Sequence, residues 1–330
     1  MNIFKSPVCK IIFGGLIATT CLLWVFHGIS FSALAVLIKQ TSISLIILGV
    51  CVDISAYLWQ ALRWNTLLNS IKPVSYRTTL QALYTGVFLN VFVPLRFGEL
   101  ARVYVATRSM AQVPYTKGLA TLGVEYAMDG FWLAVALGAT LCFVPLPEHL
   151  RFSALIFGTT LLIGLTATFI FVRFNRGLPN PVLPAGRFTF VNHLKIGRSN
   201  ALMVLRTICA TPQSLFALLI SGIVLASRIA AFVIIMRACH IPLGIGAAAA
   251  VLLIKYVGLI IPNAPSNIGG YQFFIVYGLI LFGIEKTAAA GFAMVIFTVL
   301  LIAQAALGSI AFASSGYSLS QIRMGIPEKR

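Results

Sequence analysis

Long apolar stretches alternate with short polar ones along this chain, and the apolar stretches are too long for barrel strands. Six of them approach or exceed the roughly 20 residues that a membrane-crossing helix needs, at about 11–29, 42–62, 119–143, 153–172, 214–236 and 288–313. Two further apolar segments are interrupted. Residues 79–93 stop at Pro94-Leu95-Arg96-Phe97-Gly98-Glu99. Residues 244–261 stop at Pro262-Asn263-Ala264-Pro265-Ser266-Asn267-Ile268-Gly269-Gly270. Proline has no amide hydrogen and drives the preceding residue out of the helical region, so each segment breaks there. Lipid cannot solvate freed backbone groups, which survive at that depth only inside protein or beside a polar cavity.

This pattern predicts an all-α, polytopic membrane protein forming a single integral-membrane domain over 1–330. Gly98 to Met110 carries Glu99, Arg102 and Arg108, so it cannot lie in lipid. Residues 79–110 are therefore expected to form a re-entrant hairpin with an amphipathic return arm. Residues 244–283 form a second re-entrant hairpin or two short helices. Both breaks contain Pro-x-x-x-Gly, Pro94 to Gly98 and Pro265 to Gly269. Entered from opposite faces, they make an inverted repeat of the kind that builds many transporters around a midplane site.

Composition adds class and orientation. Apolar residues are 59% of the chain and charged residues 9%, against about 25% charged in a soluble domain. The net charge of +17 would point to nucleic acid in a soluble protein. Here it fits cytoplasmic loops and anionic headgroups, and no aromatic–basic nucleic-acid module is visible. With the amino terminus cytoplasmic, Lys5, Lys10, Lys72, Arg77, Arg108 and Lys117 fall inside, as does a basic loop over 173–213. Lys39, Arg151, Arg237 and Lys286 fall outside, beside Glu148 and Glu285. A full crossing at 79–93 would flip every later loop and put the basic one outside. Charge counting therefore predicts re-entrance as well. Lys5 and Lys10 precede the run 11–29 with no small-x-small cleavage site, so that run reads as an uncleaved first helix. The six cysteines are scattered and read as small buried hydrophobes rather than ligands or a disulfide framework.

The candidate chemistry lies in charges placed where lipid should be. Glu125 and Asp129 are four apart in the span 119–143 and share a helical face. Two ionised central carboxylates cost about 5–7 kcal/mol, and the span's Leu, Val and Phe return about 3–5. The pair must be protonated, near the interface, or matched by cations within the bundle. Arg96, Arg102, Arg228 and Lys255 are candidate partners. Two readings stand side by side: intramembrane salt bridges that hold helices together, or a cationic cavity for an anionic headgroup tuned by Glu125 and Asp129. Glu99 caps the first turn of the return arm or holds the neighbouring arginines. Ser266 and Asn267 cap the second arm or join its free amides in binding phosphate, and Gln272 adds a neutral amide to that edge. Asp53 reads as weak, and Trp59, Arg63 and Trp64 read as an interfacial anchor.

Four stretches carry a resemblance. They are Ala61-Leu62-Arg63-Trp64-Asn65-Thr66-Leu67-Leu68, then Pro94 through Arg102 with its Gly-Glu-Leu, then Val124-Glu125 with Asp129, and Ile261-Pro262-Asn263-Ala264-Pro265 with Gly269-Gly270. In this order the chain resembles, over roughly 10–315, the flippase-like membrane domain of lysylphosphatidylglycerol synthases in its stand-alone form. The resemblance implies a bacterial or archaeal inner-membrane protein with inverted-repeat helices, proposed to move lipids between leaflets. Tyr126 stands where the family usually has Arg, and Gln272 where it often has Glu. No aminoacyl-transferring domain follows Arg330, so the chain is not expected to make lysyl lipid itself.

The function expected is a lipid flippase or transporter of a lipid-linked precursor, not an enzyme, using no cofactor and no metal. Its partner would be an anionic membrane lipid, and both termini would be cytoplasmic. With no Walker A sequence, transport would use a gradient or only equilibrate the lipid. The alternatives are an integral-membrane lipid-modifying enzyme, or a non-transporting partner of one. The dispersed His27, His149, His193 and His240 argue against the enzyme.

Overall fold

The computed structural model describes residues 7–93, 97–110, 113–174, 206, 212–260 and 264–325. Most of the basic loop (175–205 and 207–211) and residues Pro94, Leu95, Arg96, Ile261, Pro262 and Asn263 lie outside the described residues. The long apolar stretches form helices, and no strand occurs among the described residues. In chain order they are α1 (Pro7–Phe26), α2 (Phe31–Gln40), α3 (Ile43–Asn69), α4 (Tyr76–Phe92), α5 (Phe97–Ser109), α6 (Tyr115–Phe143) and α7 (Glu148–Phe174). Then follow α8 (Gln213–Ala238), α9 (Ile245–Gly258), α10 (Gly270–Leu281), α11 (Lys286–Ser314) and α12 (Leu319–Gly325). Among the described residues, five helices are long and apolar enough to cross a membrane: α3, α6, α8, α11 and the 150–168 stretch of α7. The first expected span appears as α1, which ends at Phe26. The expectations did not include α2 or α12.

The two broken segments form helical hairpins. Val93 is extended (φ −108°, ψ 127°), as the residue before a proline should be, and α4 ends there. The chain turns back into α5 so tightly that a Cβ on Gly86 would stand 2.6 Å from the Gly98 carbonyl oxygen. Only glycine allows backbones to approach this closely. The Gly98 amide donates to Asn90 Oδ1 at 2.8 Å. In the second hairpin, α9 and α10 pack side by side, with Val251 against Gly278 and Gly258 against Phe274. A 3-10 turn over Pro265–Asn267 joins them. It holds Ser266 (φ 54°) and Asn267 (φ 55°) left-handed, and Gly269 follows at φ 84°.

The halves repeat. Residues 115–143 of α6 correspond to 286–314 of α11, and the same offset of 171 residues carries Gly98 onto Gly269. Helix neighbours come in matching pairs. α3–α4 matches α8–α9, α5–α6 matches α10–α11, and α4–α11 matches α6–α9. α3 and α8 pack against each other in opposite directions. The Ser42 amide donates to the Ala238 carbonyl at 3.0 Å, and Arg63 Nη1 donates to Ser221 Oγ at 2.8 Å. Because these corresponding helices are antiparallel, the halves are inverted relative to one another.

The hairpins consequently start from opposite ends of the bundle. Asn65 Nδ2 reaches Thr79 Oγ1 at 3.0 Å, tying the start of α4 to one end of α3. α9 begins near the other end, after Ala238. The hairpin tips meet where Ser266 Oγ donates to the Val91 carbonyl at 2.8 Å.

Packing follows membrane rules. Apolar contact between helices gains little over apolar contact with lipid, so close approach of small residues matters more. Ala56, Ala61, Ala101, Ala217, Ala248 and Ala289 are fully buried at helix contacts, while Phe143, Leu23, Ile163 and Ile310 face outward. The four cysteines whose side chains are described depart from expectation: Cys51 and Cys142 are exposed, and Cys21 and Cys239 are only partly covered.

Candidate functional site

A half-open cavity of about 360 Å³ with mixed polar and apolar walls lies beside the hairpin tips. Asp53, Tyr57 and Gln60 reach it from α3, where spacings of four and seven place them on one face. Arg228 faces them from α8. Its Nη1 lies 3.2 Å from Asp53 Oδ1, its Nη2 lies 3.4 Å from Gln60 Oε1, and its guanidinium stands 4.6 Å from the Tyr57 ring centre. Tyr57 and Arg228 are themselves repeat equivalents at the offset of 171, so this contact marks where the two halves cross. The second hairpin brings Lys255, Tyr256, Ser266, Asn267 and Tyr271. The first brings Asn90, Glu99 and Arg102, and α11 brings Gln304.

Lys255 is 8% exposed, and its Nζ lies 4.2 Å from the Tyr256 ring centre and 5.1 Å from that of Tyr271. It has no carboxylate partner among the described residues. Such cation–π contacts are worth about 0.5–2 kcal/mol and only partly replace lost hydration.

Beside the cavity runs a chain of alternating charges. Glu125 is buried and gives one oxygen to each of two arginines: Arg63 Nη2 at 2.5 Å and Arg102 Nη2 at 2.7 Å. Arg63 also pairs with Asp129, and Arg102 pairs with Glu99 at 2.8 Å. The Arg102 guanidinium lies 4.8 Å from the Trp64 ring centre, and Trp64 Nε1 donates to Thr121 Oγ1 at 3.0 Å. The two acids of α6 are therefore matched by cations inside the bundle, one of the three options open to them.

The structure redistributes the expected partners. Arg102 does meet Glu125. Arg228 pairs with Asp53 instead of Glu125 or Asp129, and Lys255 pairs with neither. Arg63 and Trp64 are fully buried and form no interfacial anchor; of that trio only Trp59 is exposed. Arg63 shares a stripe of α3 with the buried Ala56 and Leu67 and the half-buried Gln60. That helical spacing was the signal available in the sequence for both Arg63 and Asp53.

Glu125, Asp129 and Gln272 are not among the cavity-lining residues; Glu99, Arg102, Arg228, Lys255, Ser266 and Asn267 are. Gln272 caps α10, its Oε1 accepting the Gly269 amide at 2.8 Å. The Ser266 hydroxyl spans to the other hairpin and does not cap its own arm. Of the expected break residues, Gly98, Pro265, Gly269 and Gly270 are described and lie at or beside the tips. Pro94, Pro262 and the candidate Arg96 lie outside the described residues.

The family described as the lysylphosphatidylglycerol synthase TM region matches residues 11–308, and the chain belongs to it. No curated protein matches the chain.

Proposed function

We propose that this protein moves a lipid with an anionic, phosphate-bearing headgroup between the leaflets of a bacterial or archaeal inner membrane. In this reading the two hairpins are re-entrant and the cavity beside their tips receives the headgroup. The observation that carries it is Lys255, a buried lysine on the cavity wall that forms no ion pair with a carboxylate among the described residues. The other cations on the wall are matched, Arg228 by Asp53 and Arg102 by Glu99 and Glu125. Among the described residues of the wall, Lys255 is thus the cation left without a carboxylate, and an anion that supplied its partner would gain a charge-assisted hydrogen bond. A cationic headgroup would meet only carboxylates that are already paired.

The test is headgroup accessibility in liposomes reconstituted with purified protein. A charge-assisted hydrogen bond is worth about 1.5–3 kcal/mol, so Lys255→Met should slow exchange of an anionic lipid at least tenfold. Lys39→Met, on an exposed residue, should leave it unchanged. Wild-type exchange by folded Lys255→Met protein would overturn the reading.

A further inference from the structure

Resting on that reading, we infer that the headgroup is a phosphate bearing a sugar ring, so that the cavity recognises a glycosyl phosphate and not a bare lipid phosphate. The argument lies in the neutral groups on its wall. Asn267 and Gln304 contribute carboxamides, and Tyr256 and Tyr271 contribute hydroxyls. None of these four side chains makes a hydrogen bond among the described residues. By contrast, Asn90 is committed to the Gly98 amide and Gln60 to Arg228.

A phosphate offers only acceptors. It could take hydrogens from Lys255, from the amide nitrogens and from the tyrosines. It could give nothing to the carbonyl oxygens of Asn267 and Gln304, which are half-buried on the wall, and an acceptor left unmatched after a ligand displaces its water is costly. The ligand must therefore carry donors as well. An amine would supply them with a positive charge, which Lys255 and Arg228 disfavour. Sugar hydroxyls donate and accept without charge. The volume of about 360 Å³ lies at the small end of ligand sites, which run from about 300 to 1,000 Å³, and suits one ring with its phosphate better than a longer oligosaccharide.

Binding measured by thermal stabilisation of the full-length protein in neutral nanodiscs tests this. The probes are a polyprenyl phosphoglucose, the same polyprenyl phosphate without the sugar, and soluble glucose 1-phosphate. The glycosylated lipid should bind about tenfold tighter than the bare phosphate, although the bare phosphate carries more charge. Gln304→Leu should bring that ratio close to one, and Lys255→Met should weaken both lipids. Equal or tighter binding of the bare phosphate, with Lys255→Met still weakening it, overturns the sugar and leaves the anionic reading standing. Lipid binding indifferent to Lys255→Met overturns both. Glucose 1-phosphate that displaces the lipid at equal concentration keeps the head chemistry, assigns it to a soluble ligand and overturns the lipid reading.

Discussion

Arg63 shows how one side chain can answer for several charges. It is fully buried, touches both acids of α6 and donates to Ser221 of α8. Removing a partner from a buried pair costs about 3–5 kcal/mol, because the charge left behind is neither hydrated nor neutralised. Arg63→Met should therefore lose about that much in reversible unfolding by denaturing detergent, and the double variant Arg63→Met with Glu125→Leu should recover part of it. Asp129 differs from Glu125 in environment. Its side chain is 45% exposed against 1% for Glu125 and it pairs with one arginine where Glu125 pairs with two, so Asp129→Asn should cost less than Arg63→Met in the same assay. Equal losses for Asp129→Asn and Arg63→Met would refute the distinction.

Among the elements, the α4–α5 hairpin depends on missing side chains. Gly86 and Gly98 place backbone against backbone, and a carbonyl oxygen cannot rotate away as a long side chain can. Gly98→Ala should destabilise by about 1–3 kcal/mol and open the hairpin, read as increased hydrogen exchange over residues 76–109. Gly123 of α6 has nothing within 4 Å of the position that a methyl group would take. There alanine should be neutral, or stabilise by up to about 1 kcal/mol through helix propensity alone. Equal exchange in the two variants would mean that the close approach carries no energy. The charges of the first half have no counterparts in the second: Glu125 corresponds to Ile296 and Arg102 to Phe273 at the same offset. The first hairpin thus adds ion pairs to its apolar core around Leu89, Ala101 and Val103, while the second relies on apolar packing around Val251, Ile275 and Phe292.

For the whole molecule, inversion divides the helix ends between two sides. Lys286 Nζ donates to the carbonyls of Trp24 and His27 at 2.7 and 2.9 Å, and His240 Nε2 lies 3.2 Å from the Gln40 carbonyl, which gathers those turns at one end. Gln81 with Ser314, and Tyr104 with Tyr317, lie at the other. The distribution of basic residues predicts that the second end faces the cytoplasm. Single cysteines at Thr41 and Pro147, in a cysteine-free background, should react with an impermeant maleimide from outside intact cells. Cysteines at Ser199 and Ser315 should react only after permeabilisation. Labelling of Ser199→Cys in intact cells would reverse the orientation.

The helical class, the long spans and both interruptions were determined by the sequence alone. Each depends on local terms: the length of an apolar run, the missing amide of a proline, and the space a glycine leaves. The same holds for the equivalence of Pro94-to-Gly98 with Pro265-to-Gly269. Which charges pair was decided only by tertiary structure. Arg63 and Glu125 are 62 positions apart, and Asp53 and Arg228 are 175 apart. Those meetings are set by the antiparallel packing of α3 on α8 and by the placement of α6, neither of which leaves a local trace. Coulomb attraction acts on distance through space, so a residue's partner depends on where the fold carries it and not on its neighbours along the chain. For that reason Arg63 passed for a surface anchor and Asp53 for a minor charge until the helices were assembled.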